Sequence, residues 1–222
     1  MNTMRPRSSK SAWSTAAVII AIVAVGVVVA GLLHNPQPDA ITIPGCDEVT
    51  QPEDLHRVNF AYVPNGSYDN ADYPWFSRAK AAAMSDALAG ALPRGATVEP
   101  DSMGPSLVFG PISSSPGGGI SGGDTSANGF LSMGSVEGGL TVTVSKSDQP
   151  PGPCFAGYVD ERRTLADGIV VDISGGEKNR RVQAFVPDGS RIDASSAGLL
   201  TVEQLMDIVT APGLRVSVPV PS

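Results

Sequence analysis

Between Ala16 and Leu33 the chain reads AAVIIAIVAVGVVVAGLL, without a single charge. At about 1.5 Å of rise per residue, a helix over this run is roughly 27 Å long, close to the thickness of one hydrocarbon core. Beyond it the apolar positions fall into shorter periods. In LHRVNFAYV, His56, Val58, Phe60 and Tyr62 alternate with other residues, and this period of two predicts a first strand before the turn Pro64-Asn65-Gly66-Ser67. The stretch WFSRAKAAAMSDALAGAL is rich in helix formers and stops at Pro93 and Gly95, with Asp72 as its expected cap and Pro74 near its first turn. Phe76, Ala79, Ala83 and Ala87 line one face of that helix, with Leu88 and Ala91 nearby. Arg78, Lys80, Ser85 and Asp86 fall away from the stripe, so the apolar face is expected against a sheet.

Short strands are expected at Ala96 to Glu99 and Leu107 to Phe109. The stretch 113–129 reads SSSPGGGISGGDTSANG, has no hydrophobic face to bury, and predicts a flexible Gly/Ser loop. In GGLTVTVSK, Leu140, Val142 and Val144 face one way and Thr141 and Thr143 the other, the pattern of an amphipathic strand. LADGIVVDIS and VPDGSRIDAS then match at an offset of 21 residues, Asp167 with Asp188, Gly168 with Gly189 and Asp172 with Asp193. Each copy is a turn followed by a strand, with Asp-Gly suited to positive φ, and RRVQAFV is expected to run antiparallel to SRIDASS. Thr201 and Gln204 have the spacing of a capping box, with Leu200 and Leu205 as its staple. That helix should end near Pro212 and Gly213, and Leu214, Val216 and Val218 alternate as a final strand. Strands outnumber helices and do not alternate with them, which makes the exterior part α+β with a mainly antiparallel sheet and two helices.

Charge orients the apolar run. Arg5, Arg7 and Lys10 precede it, Trp13 stands at its edge, and all 22 acidic residues follow it, so the N-terminus is expected in the cytoplasm and the rest outside. The run is longer than the apolar region of a signal peptide and lacks a small-residue cleavage site, which favours an uncleaved anchor. Ile43-Pro44-Gly45-Cys46 has the look of a lipobox, but HNPQPDAIT separates it from the apolar run. Gly26 and Ala30 form a small-xxx-small pair for which plain packing against lipid is the favoured reading. The expected layout is a cytoplasmic tail at 1–11, a transmembrane helix at 12–33, a linker at 34–55 and an extracytoplasmic domain at 56–222.

Cys46 and Cys154 are the two cysteines, both placed outside, where thiols usually pair. A Cys46 to Cys154 disulfide is therefore expected, closing a loop of about 100 residues and contributing up to about 4.7 kcal/mol in the chain-entropy model. Catalytic material is scarce. The two histidines are His34 at the membrane edge and His56 in the first strand, and neither has a partner at catalytic spacing. No Gly-x-Ser-x-Gly, His-Glu-x-x-His or Cys-x-x-Cys occurs, and the Gly-rich stretch at 113–129 has no lysine for a phosphate loop. The Asp-Gly turns lack the twelve-residue ligand pattern of a calcium loop. Asp160-Glu161-Arg162-Arg163 reads as a solvated loop with surface ion pairs, and Tyr73, Trp75 and Phe76 read as core. No catalytic residue, metal ligand or cofactor is expected. The formal charge of −7, more negative still outside the anchor, disfavours nucleic acid and anionic headgroups.

The Ala/Val/Gly-rich span, ALPRGATVE, LADGIVVDISGG, FVPDGSRIDAS and LLTVEQLMDIVTAPGL together resemble single-pass membrane-anchored envelope proteins of actinobacteria. The resemblance implies location and origin and brings no catalytic residues, since such exported domains carry no assigned activity. A membrane anti-sigma factor is similar in span and size, but the short tail leaves no room for a sigma-binding domain. The expectation is a membrane-tethered extracytoplasmic domain that binds an envelope protein partner or serves as an accessory subunit, with the lipid bilayer held through its N-terminal helix. A carboxylate-based cell-wall hydrolase and a purely structural spacer are the alternatives.

Overall fold

The computed structural model describes residues 41–51, 66–100, 106–112 and 123–219. All but Ile41 belong to one compact unit, Thr42–Ser222. The transmembrane span at 12–33, His34, the strand at 56–62 with His56, and most of the Gly/Ser loop lie outside the described residues. Among those described, no helix is long and apolar enough to cross a membrane.

The architecture is α+β, a seven-stranded antiparallel sheet with two helices on one face. In chain order the elements are β1 (Val49–Thr50), α1 (Arg78–Ala91), β2 (Ala96–Val98), β3 (Asp124–Met133), β4 (Val136–Lys146) and β5 (Cys154–Phe155). They continue with β6 (Glu161–Thr164), β7 (Val170–Ser174), β8 (Arg180–Phe185), β9 (Ser190–Ser196), α2 (Val202–Val209) and a 3₁₀ turn at Pro212–Leu214. The sheet order is β2-β3-β4-β9-β8-β7-β6, and β1 pairs separately with β5 in parallel. The β6 to β9 meander is built on the two matched turns. Gly168 and Gly189 have φ of 83° and 86°, and the Asp167 and Asp188 carboxylates accept the N–H groups of Ile169 and Ser190 across their own turns.

Alternation decides which face is buried. Val142 and Val144 on β4, Val171 on β7, Val182 and Ala184 on β8, and Ile192 and Ala194 on β9 all point inward with no exposure. Over them lie Leu200, Leu205, Ile208 and Leu214 from the C-terminal segment and Met84 and Leu88 from α1. α2 starts with the capping box expected of it. The Thr201 hydroxyl accepts from Gln204 N–H, the Gln204 side chain accepts from Thr201 N–H, and Leu200 and Leu205 are both fully buried.

Several elements differ from the sequence reading. α1 begins after Ser77, whose hydroxyl accepts from Lys80 N–H, while Asp72 N–H bonds to Asn70 Oδ1 in the preceding turn. The buried stripe of α1 is Lys80, Ala81, Met84 and Leu88, rotated from the Ala79–Ala83–Ala87 row, because Met and Leu bury far more apolar area than alanine methyls. Lys80 thus lies inside, its ammonium donating to Arg215 O at 2.7 Å and Val218 O at 2.5 Å. Those carbonyls are held by the lysine, and 214–218 forms a 3₁₀ turn and a bend in place of a last strand. Residues 124–129 belong to β3, with Ser126 and Asn128 on its outer face and Thr125 turned inward, where its hydroxyl donates to Gly110 O. Leu107 has φ 54°, so 107–112 is an irregular segment bonded along the edge of β3, with Leu107 N–H to Asn128 O and Gly110 N–H to Ser126 O. Finally, 161–164 is the edge strand β6, and 42–51, read as linker, packs beside it, with Ile43 buried and Arg162 N–H bonded to Pro44 O.

Candidate functional site: a groove on the outer face of the sheet

The strand order forces one long crossing. β4 lies at the centre of the sheet and β6 at its edge beyond β9, β8 and β7, so 147–160 has to travel across three strands. It runs over the face opposite the helices as a strap containing Gln149-Pro150-Pro151-Gly152-Pro153. Ser147 N–H to Gly189 O holds one end and Asp160 N–H to Ile173 O the other. Midway, β5 pairs with β1, and the Cys46–Cys154 disulfide ties the strap to the chain's leading segment, with Cα atoms 6.1 Å apart and Cys154 fully buried.

Beneath the strap the outward positions of consecutive strands form one polar row. Arg162 on β6 stands opposite Asp172 on β7, Asp172 opposite Gln183 on β8, Gln183 opposite Asp193 on β9, Asp193 opposite Thr143 on β4, and Thr143 opposite Ser126 on β3. Cross-strand neighbours of this kind interact directly. Arg162 donates from Nε and a terminal nitrogen to the two oxygens of Asp172 at 2.6 and 2.7 Å, and from its other terminal nitrogen to Gly152 O on the strap at 2.8 Å. The Arg162 side chain is 14% exposed and that of Asp172 11%, so this is a desolvated bidentate pair and a roof anchor, not the solvated surface pair expected from the sequence. The neighbouring Arg163 and Glu161 form a half-exposed pair on the other face, where Arg163 also reaches Met206 Sδ.

A groove of about 400 Å³ opens between strap and sheet. Its walls include Phe155, Tyr158 and Phe185, and its floor Arg162, Asp172, Arg181, Gln183 and Arg191. Arg181 bonds Asp193 Oδ2, which also accepts from the Gln183 amide at 2.9 Å; Arg191 donates to Gln183 Oε1 at 3.2 Å and lies over the Phe185 ring at 5.5 Å. Burial pushes the Asp124 carboxyl, on the adjoining edge of β3, above the usual carboxylate range despite the nearby Arg191 and a hydrogen bond from Ser145.

The aromatic group Tyr73, Trp75 and Phe76 lies elsewhere. Phe76 is buried and Tyr73 and Trp75 pack partly buried against the core, with Tyr68 stacked on Phe76 at 6.1 Å. Among the described residues no three His, Cys, Asp or Glu side chains gather as a metal site. The sequence reading did not single out the floor residues Arg181, Gln183 and Arg191, and it named Asp193, which bonds Arg181 and Gln183, only as the repeat match of Asp172. Their signal was the polar phase of RRVQAFV and SRIDASS, which places Gln183 opposite Asp193 once the two strands are paired. No protein-family model, curated protein or solved structure matches the chain.

Proposed function

We propose that the chain is a membrane-tethered extracytoplasmic binding or accessory domain, anchored through 12–33, whose groove receives an envelope partner. The groove carries the reading: it is roofed by a strap fixed by a disulfide and by Arg162, walled by aromatics including the 64% exposed Tyr158, and floored by polar groups held in register. The hydrolase alternative needs a carboxylic acid able to give up a proton. Among the described residues Asp172 is the one carboxylate lining this groove, and both its oxygens are bonded by the Arg162 guanidinium, so neither is free to act on a bound substrate. A spacer needs no such hollow. A photo-crosslinking residue placed at Tyr158 in intact cells is expected to capture a discrete envelope component, and one at Ala82 on the exposed side of α1 is not. Equal labelling from both positions, or none from Tyr158, removes the binding reading.

A further inference from the structure

The groove floor has hydrogen-bond donors left over. Arg162 is spent: Nε and both terminal nitrogens are engaged by Asp172 and Gly152 O. Asp172 is spent in turn, and Gln183 gives its amide to Asp193 and its oxygen to Arg191. Arg181 uses Nε and one terminal nitrogen on a single oxygen of Asp193, which leaves its other terminal nitrogen without an acceptor among the described residues, on a side chain 56% exposed. Arg191 uses one terminal nitrogen on a neutral amide oxygen, and no carboxylate among the described residues comes within ion-pair distance of it. Its Nε and second terminal nitrogen have no acceptor among these residues, and its plane is held by Phe185. The two guanidinium groups are linked to the same Gln183–Asp193 pair from opposite sides, and both line the groove.

A surplus of fixed planar N–H donors calls for oxygen acceptors with negative charge, and a guanidinium fork fits a carboxylate or phosphate in two-point fashion. We infer that the groove binds an oxyanion group, carboxylate or phosphate, seated over Gln183 between Arg181 and Arg191, with Phe185 and Tyr158 flanking the moiety that carries it. Resting on the groove reading above, this inference names the ligand's chemistry. In a chain of formal charge −7 the site is a local exception, so long-range repulsion slows the approach of anions and the short-range fork supplies the selectivity. Asp124 is a competing carboxyl that acts on Arg191, and it does so without forming an ion pair.

The test uses the full chain in zwitterionic micelles, with arginine side-chain nitrogen resonances followed by NMR. The probes are inorganic phosphate in one arm and glucuronate in the other, each against sodium chloride at matched ionic strength. At least one probe is expected to shift Arg181 and Arg191 saturably where chloride does not, and the arm that saturates identifies the oxyanion source. Arg191→Gln should weaken that binding tenfold or more with the backbone amide spectrum otherwise kept. Arg191→Lys, which keeps the charge and loses the fork, should weaken it at least threefold and serves as the readout should the glutamine variant not fold. No saturation beyond chloride in either arm, or lysine binding as tight as the native arginine, overturns the inference. Crosslinks from Tyr158 without oxyanion binding would leave the groove reading in place and remove this one alone.

Discussion

Replacing Arg162 by methionine separates two accounts of the Arg162–Asp172 pair. An exposed ion pair is worth about 0–1 kcal/mol. A buried pair broken at one end costs about 3–5 kcal/mol, because the remaining charge is stranded out of water. With side-chain exposures of 14% and 11%, the second regime applies. The substitution also drops the bond to Gly152 O, worth about 1 kcal/mol. Arg162→Met should therefore lose about 4 kcal/mol, and Asp172→Val about 2–3 kcal/mol, since the freed guanidinium keeps Gly152 O and the attraction of Asp47. The double variant has no charge to strand, and should lie within about 1–2 kcal/mol of the native chain, a coupling of at least ~4 kcal/mol. Urea unfolding of the full chain in mild detergent, fitted by linear extrapolation, gives all four corners of the cycle. Hydrogen exchange over 147–160 shows whether the strap loosens with Arg162→Met. Single-variant losses under about 1 kcal/mol that add within about 0.5 kcal/mol would show a solvated pair and refute the reasoning.

Three further outcomes are expected. Replacing both Cys46 and Cys154 by serine should cost about 4 kcal/mol, as expected for a sequence separation of 108 residues, read as a lowered melting temperature that added reductant does not lower further. At Asp188, burial pushes the carboxyl up, but hydrogen bonds from the Ser217 hydroxyl and from Ser190, together with Arg215, outweigh it and hold the group below the usual carboxylate range. A lowered folded value stabilises above the unfolded one and is lost as pH falls through it, so Asp188→Asn should flatten the stability profile below about pH 4 and change its shape little at neutral pH. Thr201→Ala removes the cap of α2 and should cost about 1 kcal/mol, checked by thermal melts against Thr201→Ser, which should retain most of it.

Most of the sheet was legible because its strands obey a two-residue period set by one buried face. β4, the β8–β9 pairing, the matched turns and the capping box of α2 follow from local chemistry that tertiary packing did not override. α1 was legible in existence and not in orientation. A run of alanines sets almost no preference among faces, so Met84 and Leu88 turned the helix and carried Lys80 inside, where burial pushes its ammonium below the usual lysine range against the attraction of Asp188. β3 was hidden because glycines and small polar residues resemble a loop, and its pairing along the whole of β4 comes from register, not propensity. The groove was out of reach for a related reason. Its floor is assembled by strand order, and nothing in the spacing of Arg162, Asp172, Gln183 and Asp193 reveals that they fall in one line until the meander is folded back against β4.

The sulfur bridge also reroutes mechanical load. A pull on the leading end of the chain reaches Cys46 and passes through Cys154 straight into the strap, short-circuiting the intervening polypeptide with its first helix and the β2–β4 strands. Tension from upstream would thus be felt at the roof of the hollow while that skipped portion stays slack.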